Sequence, residues 1–322
     1  MPEILLCGSE GEQFLYENSL QSLGKDDKRR GSVLLSAGDQ MYRRFDQEYD
    51  DFWVHCRLAV HGITGIGKTT NLPIISVMSN ETTLATIRSN MAAQSQIGSL
   101  RFDAMDTGPS FPAEHRTFLN YDIRIVATGD NSCEVYFYRN EVLRRRVTLN
   151  TALRPNAVQI QYQAADPDLA SVWIQDVVVT DGIPTVGMEL AVLVPSAVGN
   201  YDDFSNDYSS IDDLGYDQTT VMSSTTIGDR ESWFFADPEF NIGDKVIYGV
   251  VMTTVAQLDL ANNLNDFEPF LRMNATNYAT VGIGANEIAP NAYVSVWTTN
   301  PATGAPWNMA ELRGLEAGLR AI

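Results

Sequence analysis

One segment of the chain matches a motif that binds nucleotide phosphates. Residues 62–69, GITGIGKT, fit the pattern G-x-x-x-x-G-K-[ST] through Gly62, Gly67, Lys68 and Thr69. In such a loop backbone N–H groups and the lysine bind phosphates, the hydroxyl residue holds Mg²⁺, and a helix begins immediately afterwards. The residues that follow here, NLPIISVMSN, contain Pro73 and two adjacent isoleucines and predict a strand instead. We therefore interpret the match as chance, in a glycine-rich loop between antiparallel strands, and expect no cofactor.

A run of acidic residues offers oxygen ligands for a hard cation. Between Tyr201 and Asp217 aspartates alternate with aromatic residues, and the metal candidates are Asp202, Asp203 and Asp207. The spacing is not that of an EF-hand, because the glycine at the sixth position and the glutamate at the twelfth are out of register. We therefore favour an acidic loop that faces solvent or a partner, with Ca²⁺ (calcium) binding as the alternative.

The histidines and cysteines do not form a recognisable catalytic set. No serine or cysteine motif accompanies the three histidines, which are His55, His61 and His115. His55 precedes Cys56, but neighbours along a strand point to opposite faces, so we expect a buried thiol beside an exposed imidazole. The three cysteines are odd in number and far apart, which indicates reduced, buried thiols. These observations predict that the chain is not an enzyme.

A tryptophan and an arginine run are the candidates for contact with a partner or a sugar. Trp173 shares a strand face with Ser171 and Gln175 in SVWIQDVVV, so its ring is expected at the surface or in an interface. There it could stack against the face of a glycan. The other candidates can complement the acidic loop of a neighbouring subunit and are Arg144, Arg145 and Arg146.

Composition indicates a folded, acidic protein. Of the 322 residues 44% are hydrophobic, which is enough for a core in each of two domains. Acidic residues number 41 against 22 basic ones, and the net charge of -19 repels nucleic acid and anionic lipid. No apolar run approaches the roughly 20 residues of a membrane helix, and the N-terminal residues MPEILLCGSEGEQ lack the basic region and apolar run of a secretory signal. We therefore expect no nucleic-acid or membrane partner and synthesis in the cytosol.

Strand patterns dominate from Ser32 onward. Runs rich in β-branched and aromatic residues are separated by turn signals every 8 to 12 residues or so, without helical runs between them. This spacing predicts an all-β fold of antiparallel sandwiches or jelly rolls rather than βαβ units. TGDNS at 128–132 predicts a hairpin, followed by a strand whose buried face carries Cys133, Val135 and Phe137.

Three segments follow from these patterns. Residues 1–30 are expected to form an N-terminal arm, 31–197 a first β-sandwich, and 198–322 a second one that begins with the acidic loop. At the end of the chain, a strand over 291–297 is followed by a proline- and glycine-rich turn. Asn308 is then expected to cap a short C-terminal helix whose apolar face carries Leu312, Leu315 and Leu319.

The closing segment resembles that of structural proteins of tailed-phage virions, in which a last strand, a turn like NPATGAPW and a helix like MAELRGLEAGL follow one another. The middle of the chain is similar to the concanavalin-like domains of the same phage proteins, through LRFDAMDTG, YDIRIVATGDNSCEVYFYRNEVL and VWIQDVVVTDGIPTVGMELAVLVP. The resemblance implies two concanavalin-like, or jelly-roll, domains. Glycan hydrolases of that fold carry an E-x-D-x-x-E type pattern, which this sequence lacks.

With this resemblance, the sequence predicts a non-enzymatic structural component of a tailed-phage virion. An external fibre, spike, collar or tail-associated protein would assemble in symmetric copies, as a homo-oligomer, and its arm would anchor on a neighbour. The expected partners are other virion proteins and a glycan of the host surface, and the expected location is the virion, after synthesis in the host cytoplasm. Two alternatives stay open: a capsid decoration protein and a glycan-binding, lectin-like module.

Overall fold

The computed structural model describes residues 3–8, 15–16, 21–22, 33–35, 39–61, 72–90, 99–112, 117–162, 171–211, 220–236, 246–257, 266–284 and 291–322. The chain divides into two compact units, Met1–Leu190 and Ala191–Ile322. Both units consist of antiparallel strands, so the prediction of an all-β fold is confirmed. Within the described residues no helix has the length and apolar character needed to span a bilayer.

The first unit is a sandwich of two antiparallel sheets. Its strands are β1 (Glu3–Gly8), β2 (Leu15–Tyr16), β3 (Gln21–Ser22), β4 (Val33–Leu35), β5 (Asp39–Arg44), β6 (Asp51–His61), β7 (Pro73–Ser79), β8 (Thr82–Asn90), β9 (Ser99–Asp103), β10 (Ser110–Pro112), β11 (Leu119–Gly129), β12 (Ser132–Arg139), β13 (Val142–Leu149), β14 (Ala157–Tyr162) and β15 (Ser171–Asp181). One sheet has the order β13-β12-β11-β6-β15-β4-β3, and β1 also pairs with β15. The other has the order β10-β9-β8-β7-β14-β5-β2. Neighbours such as β6 and β15 are far apart in sequence, as in a jelly roll.

The core of this unit lies between the two sheets. Phe102 on β9 stacks on Phe137 of β12, with ring centroids 5.0 Å apart and an angle of 5° between the planes. Both rings are fully buried, as is Phe52 on β6. Burial of each ring contributes about 2 to 3 kcal/mol to stability, which fixes the two sheets face to face.

The predicted hairpin and its alternation are confirmed. β11 ends at Gly129 and β12 begins at Ser132, so the turn falls within TGDNS. Cys133, Val135 and Phe137 are buried while the residues between them are half-buried. Cys7, Cys56 and Cys133 are all buried, which confirms the expected burial of the thiols.

The expected N-terminal arm is wrong for residues 3–8. These residues form β1, which pairs antiparallel with β15 from Glu3 opposite Asp181 to Gly8 opposite Val177. Leu6 is fully buried and Ile4 nearly so. The free energy of burying these apolar side chains favours incorporation into the sheet over a free arm. The later part of 1–30 is described only at β2 and β3, which pair with β5 and β4.

The second unit contains one larger sheet and a two-stranded ribbon. Its strands are β16 (Pro195–Asp202), β17 (Arg230–Phe235), β18 (Val250–Ala256), β19 (Asp266–Met273), β20 (Thr276–Ala279), β21 (Ile283–Gly284), β22 (Asn291–Trp297) and β23 (Glu316–Ala321), with one helix, α1 (Met309–Leu312). The larger sheet has the order β16-β17-β23-β19-β20, with β21 paired to β19, and β18 pairs with β22. A buried cluster joins ribbon and sheet and includes Leu271, Trp297, Trp307, Leu312, Leu315 and Ala317.

The predicted C-terminal helix begins as expected but ends early. The Asn308 side chain accepts hydrogen bonds from the backbone N–H groups of Ala310 and Glu311, and the Glu311 carboxylate accepts from Asn308 N at 2.9 Å. The helix stops at Leu312, and the next turn passes through Gly314 at φ +70°. The extension of the helix to Leu319 is therefore wrong, because residues 316–321 form β23 between β17 and β19.

We predict that Gly318→Ala destabilises the second unit by about 2 kcal/mol or more, because the added Cβ has no room. It would lie 2.0 Å from the Glu231 carbonyl oxygen and 2.6 Å from Cζ of Phe270. Chemical denaturation measures the change in the free energy of unfolding. Gly314→Ala is the control: its Cβ meets open space, and only the positive φ costs about 1 kcal/mol. A stabilised Gly318→Ala variant would contradict the strand, since alanine stabilises a helix by about 1 kcal/mol relative to glycine.

Candidate functional site

The residues of the phosphate-loop match, Gly62, Gly67, Lys68 and Thr69, lie outside the described part of the chain. The residues after them form β7, which begins at Pro73 and buries Ile74 and Ile75. The strand that the sequence indicates at this point is therefore present. The interpretation of the motif as a chance match stays a prediction.

The three metal candidates of the acidic loop make separate local contacts. Asp202 lies opposite Glu231 in the pairing of β16 with β17. Asp203 accepts a hydrogen bond at 3.0 Å from the backbone N–H of Arg230. Asp207 caps a 3₁₀ helix over Tyr208–Ser210, and hydrogen bonds from Ser209 lower the pKa of its carboxyl group. Among the residues that the structure describes, no three histidine, cysteine or acidic side chains are grouped to hold a metal.

The arginine run lies on β13, at the end of its sheet. Arg145 donates to the Asp106 carboxylate and to the carbonyl oxygen of Phe102. Arg146 forms an ion pair with Glu134. Arg144 is exposed and makes no ion pair with any residue that the structure describes. Two of the three guanidinium groups are therefore used within the sandwich.

Trp173 lies on an inner strand of its sheet. It is half-buried on β15, where it pairs with Ala59 of β6 on one side and with Leu34 of β4 on the other. No contact observed here tests its expected role in an interface or in glycan binding, which stays a prediction.

The expected exposure of His55 is wrong. Cys56 points into the core, as the alternation predicts, but the outer face at His55 is also covered, and His55 is fully buried. Its Nδ1 lies 2.8 Å from Oδ1 of Asp122, and the Thr185 hydroxyl donates to the same oxygen at 2.8 Å. The segment that follows β15 covers this face, and burial raises the pKa of the Cys56 thiol well above its usual range, with a smaller contribution from Asp122. This group is a structural polar cluster away from solvent.

The second unit holds a more accessible polar site, centred on Glu316 at the start of β23. Glu316 is 4% exposed, and its carboxylate accepts hydrogen bonds from Asn200 N at 2.8 Å, Asn200 Nδ2 at 2.7 Å and Ser232 Oγ at 2.7 Å. Nε of Arg272 lies 3.4 Å from Oε2. Four donors on three strands of the same sheet therefore hold the carboxylate in one orientation.

Arg272 is positioned in turn by Tyr201. The guanidinium carbons of Arg272 and Arg230 lie 5.1 and 5.2 Å from the centre of the Tyr201 ring. Nη1 of Arg272 also lies within hydrogen-bond distance of the Tyr201 hydroxyl, the Ala275 carbonyl oxygen and Asn277 Oδ1. These cation–π and polar contacts fix the guanidinium beside Glu316.

A cavity of about 330 Å³ opens above this pair, and its lining residues are Asn200, Phe234, Arg272, Asn274, Ala275, Gly314 and Glu316. It is a depression that is open to solvent on one side rather than an enclosed pocket. The sequence analysis missed this site. No local pattern marked it, because Asn200, Arg272 and Glu316 lie on strands that are distant from one another in sequence.

A second buried carboxylate lies on the neighbouring strand. Glu231 is fully buried on β17; its Oε2 accepts a hydrogen bond from Phe204 N at 3.1 Å, and its Oε1 has no partner among the described residues. The pKa of Glu231 is raised to about 7, chiefly by burial and also by the nearby charges of Asp202 and Asp203, while its backbone hydrogen bonds act in the opposite direction. Glu231 therefore changes charge near neutral pH.

Comparison with known proteins gives similarity of fold alone. No protein-family profile and no curated protein sequence matches the chain. Among solved structures, the chain is similar to the endo-β-1,4-glucuronan lyase of Trichoderma reesei, at 8% identity over 57% of this chain and 98% of that one, with a TM-score of 0.41. It is also similar to the carbohydrate esterase vb_24B_21 of the Shiga toxin-encoding bacteriophage phi24B (12% identity, 57% and 100% of the chains, TM-score 0.40). A third similar structure is the binding domain of botulinum neurotoxin serotype G, at 13% identity over 55% of this chain and 47% of that one, with a TM-score of 0.35.

These similarities correct one prediction. The sequence analysis excluded an enzyme because it found no catalytic set, yet the similar structures include the glucuronan lyase, several alginate lyases and the phage esterase. The absence of a familiar motif in the sequence does not exclude enzymatic activity.

We predict that the stability of the second unit falls as pH rises from about 4.5 to about 7. The folded state holds the Glu231 proton more tightly than the unfolded chain, so this contribution is complete at low pH and is lost as pH rises through the folded pKa. Glu231→Gln stays neutral, so its stability relative to the wild type should increase between pH 5 and pH 8. Denaturant unfolding at several pH values measures this, with Glu268→Gln on β19 as control. An equal pH dependence of wild type and Glu231→Gln would refute the prediction.

Proposed function

We propose that this chain is a structural subunit of a tailed-phage virion that assembles in symmetric copies. The closing segment and the middle of the chain resemble phage virion proteins, and this resemblance supports a place in the virion. The architecture is compatible with this role, since two β-sandwich units can present strand edges and loops to neighbours. An external fibre, spike, collar or tail-associated position is the leading location, and capsid decoration is the alternative.

The observation that carries the assembly role is the edge formed by β13. This strand pairs with β12 on one side and with no described strand on the other. Val142 and Leu143 are 50% and 46% exposed, and Met105, beside the partner of Arg145, is 57% exposed. Exposed apolar side chains next to a free strand edge are characteristic of interaction surfaces.

Charge indicates which surface of another copy would bind there. Arg144 supplies a positive charge without an ion partner among the described residues, on a chain whose net charge is -19. Two β13 edges would place arginines against arginines, so self-pairing of this strand is disfavoured. The exposed carboxylates of Asp202, Asp203 and Asp207 in the second unit offer a complementary surface. A contact between two different surfaces of identical subunits closes into a ring when the rotation allows it.

We predict that Arg144→Glu weakens self-association about tenfold, because it replaces an attraction across the contact with a repulsion. Light scattering at physiological salt should give a discrete oligomer for the wild type and a smaller mass for the variant at the same concentration. Circular dichroism checks that the variant folds.

The matched control is Arg313→Glu, which makes the same charge change at an exposed position of the second unit. It should leave the mass unchanged. A wild type that is monomeric at all concentrations, or equal masses for both variants and the wild type, would count against self-assembly through β13. The virion location is tested separately, by mass spectrometry of purified phage particles.

A further inference from the structure

We propose that the cavity beside Glu316 in the second unit is a binding site for one neutral sugar residue of a glycan. The site belongs to the second unit, whereas β13 belongs to the first, and the proposal is independent of the assembly role. It rests on the side chains that line the cavity and on the hydrogen-bonding groups that they leave available.

Glu316 and Arg272 present an acceptor and a donor side by side. Oε1 of Glu316 already accepts two hydrogen bonds, but Oε2 accepts only from Asn200 Nδ2, with Arg272 Nε at 3.4 Å, and keeps acceptor capacity. On Arg272 the polar contacts use Nε and Nη1, whereas Nη2 makes no hydrogen bond to a described residue. A pair of adjacent sugar hydroxyls fits this arrangement, because one hydroxyl donates to the carboxylate while the next accepts from the guanidinium.

The pair is fixed before a ligand arrives. Glu316 is held by Asn200 and Ser232, and Arg272 is held against the Tyr201 ring. Since these side chains lose little freedom on binding, the entropic cost of forming the complex is low.

The remaining walls suit the other surfaces of a sugar ring. Phe234 is half-buried and lines the cavity, so it offers an apolar ring surface to the C–H face of a pyranose. Asn274 is exposed at the rim, on the turn between β19 and β20, where its amide can donate and accept. A mostly polar cavity with one aromatic wall matches a ligand that has hydroxyls at its edge and an apolar face.

Charge balance selects a neutral ligand. Among the residues that line the cavity, the positive charge of Arg272 is offset by Glu316 at 3.4 Å, so the lining has no surplus cation for a phosphate or a carboxylate. The same ion pair does not repel an uncharged polyol. We therefore assign the site to neutral hexoses and N-acetylhexosamines rather than to uronates or phosphosugars.

The test uses the full chain and four probes: D-glucose, D-galactose, D-mannose and N-acetyl-D-glucosamine. Saturation-transfer NMR identifies which of them binds, and titration gives the Kd. Phe234→Leu keeps apolar volume but removes the flat ring, and should weaken binding about tenfold. Asn274→Gly removes the amide without straining a backbone at φ +51°, and should weaken binding about fivefold, as expected for one hydrogen bond.

Phe235→Leu is the matched control. Phe235 is the next residue on β17 and packs against the buried tryptophan and leucine cluster, on the other face of the sheet. It should leave the Kd unchanged although it removes the same atoms. The proposal is overturned if none of the four sugars binds saturably, or if Phe234→Leu and Asn274→Gly bind as tightly as the wild type. Tighter binding of D-glucuronate than of D-glucose would overturn the assignment to neutral sugars.

Discussion

The carboxylate of Glu316 imposes the strictest constraint on the second unit. An ion removed from water costs several kcal/mol unless hydrogen bonds and an opposite charge replace its hydration. Here the replacement comes from Asn200 on β16, Ser232 on β17 and Arg272 on β19, so a single buried group ties together the strands around β23. The same arrangement leaves a donor and an acceptor facing a cavity. Stability of the sheet and the chemistry of the cavity therefore depend on one set of contacts.

The first unit also buries polar side chains, but these form hydrogen bonds with one another. Its inner face is apolar and aromatic, whereas on its outer face His55 and Asp122 are buried beneath the segment that follows β15, which contributes Thr185 to the cluster. That segment closes the outer face to solvent at this point, so the polar residues bind one another instead of a ligand. At the far end of the sheet β13 has one described neighbour only, and two of its three successive arginines are bound within the sandwich. The accessible features of this unit are thus at its edge.

Architecture alone does not distinguish the functions of such proteins. The solved structures to which the chain is similar are at most 13% identical to it. Identity this low leaves no side chain to carry over from one protein to another. Function has to be argued from side chains that converge in this chain, such as the exposed edge at Arg144 and the cavity beside Glu316.

The sequence by itself determined the all-β class, the 128–132 hairpin, the alternation of Cys133, Val135 and Phe137, and the cap at Asn308, because each follows from local periodicity or turn chemistry. It did not determine that residues 316–321 form a strand. Leucines at 312, 315 and 319 satisfy a helical period. Residues 316–321 are extended because in that conformation they pair with β17 on one side and with β19 on the other. The convergence of Asn200, Arg272 and Glu316 is likewise invisible along the chain, since strands distant in sequence bring these residues together. Tertiary structure decides such features because burial and pairing act between segments that local pattern treats as independent.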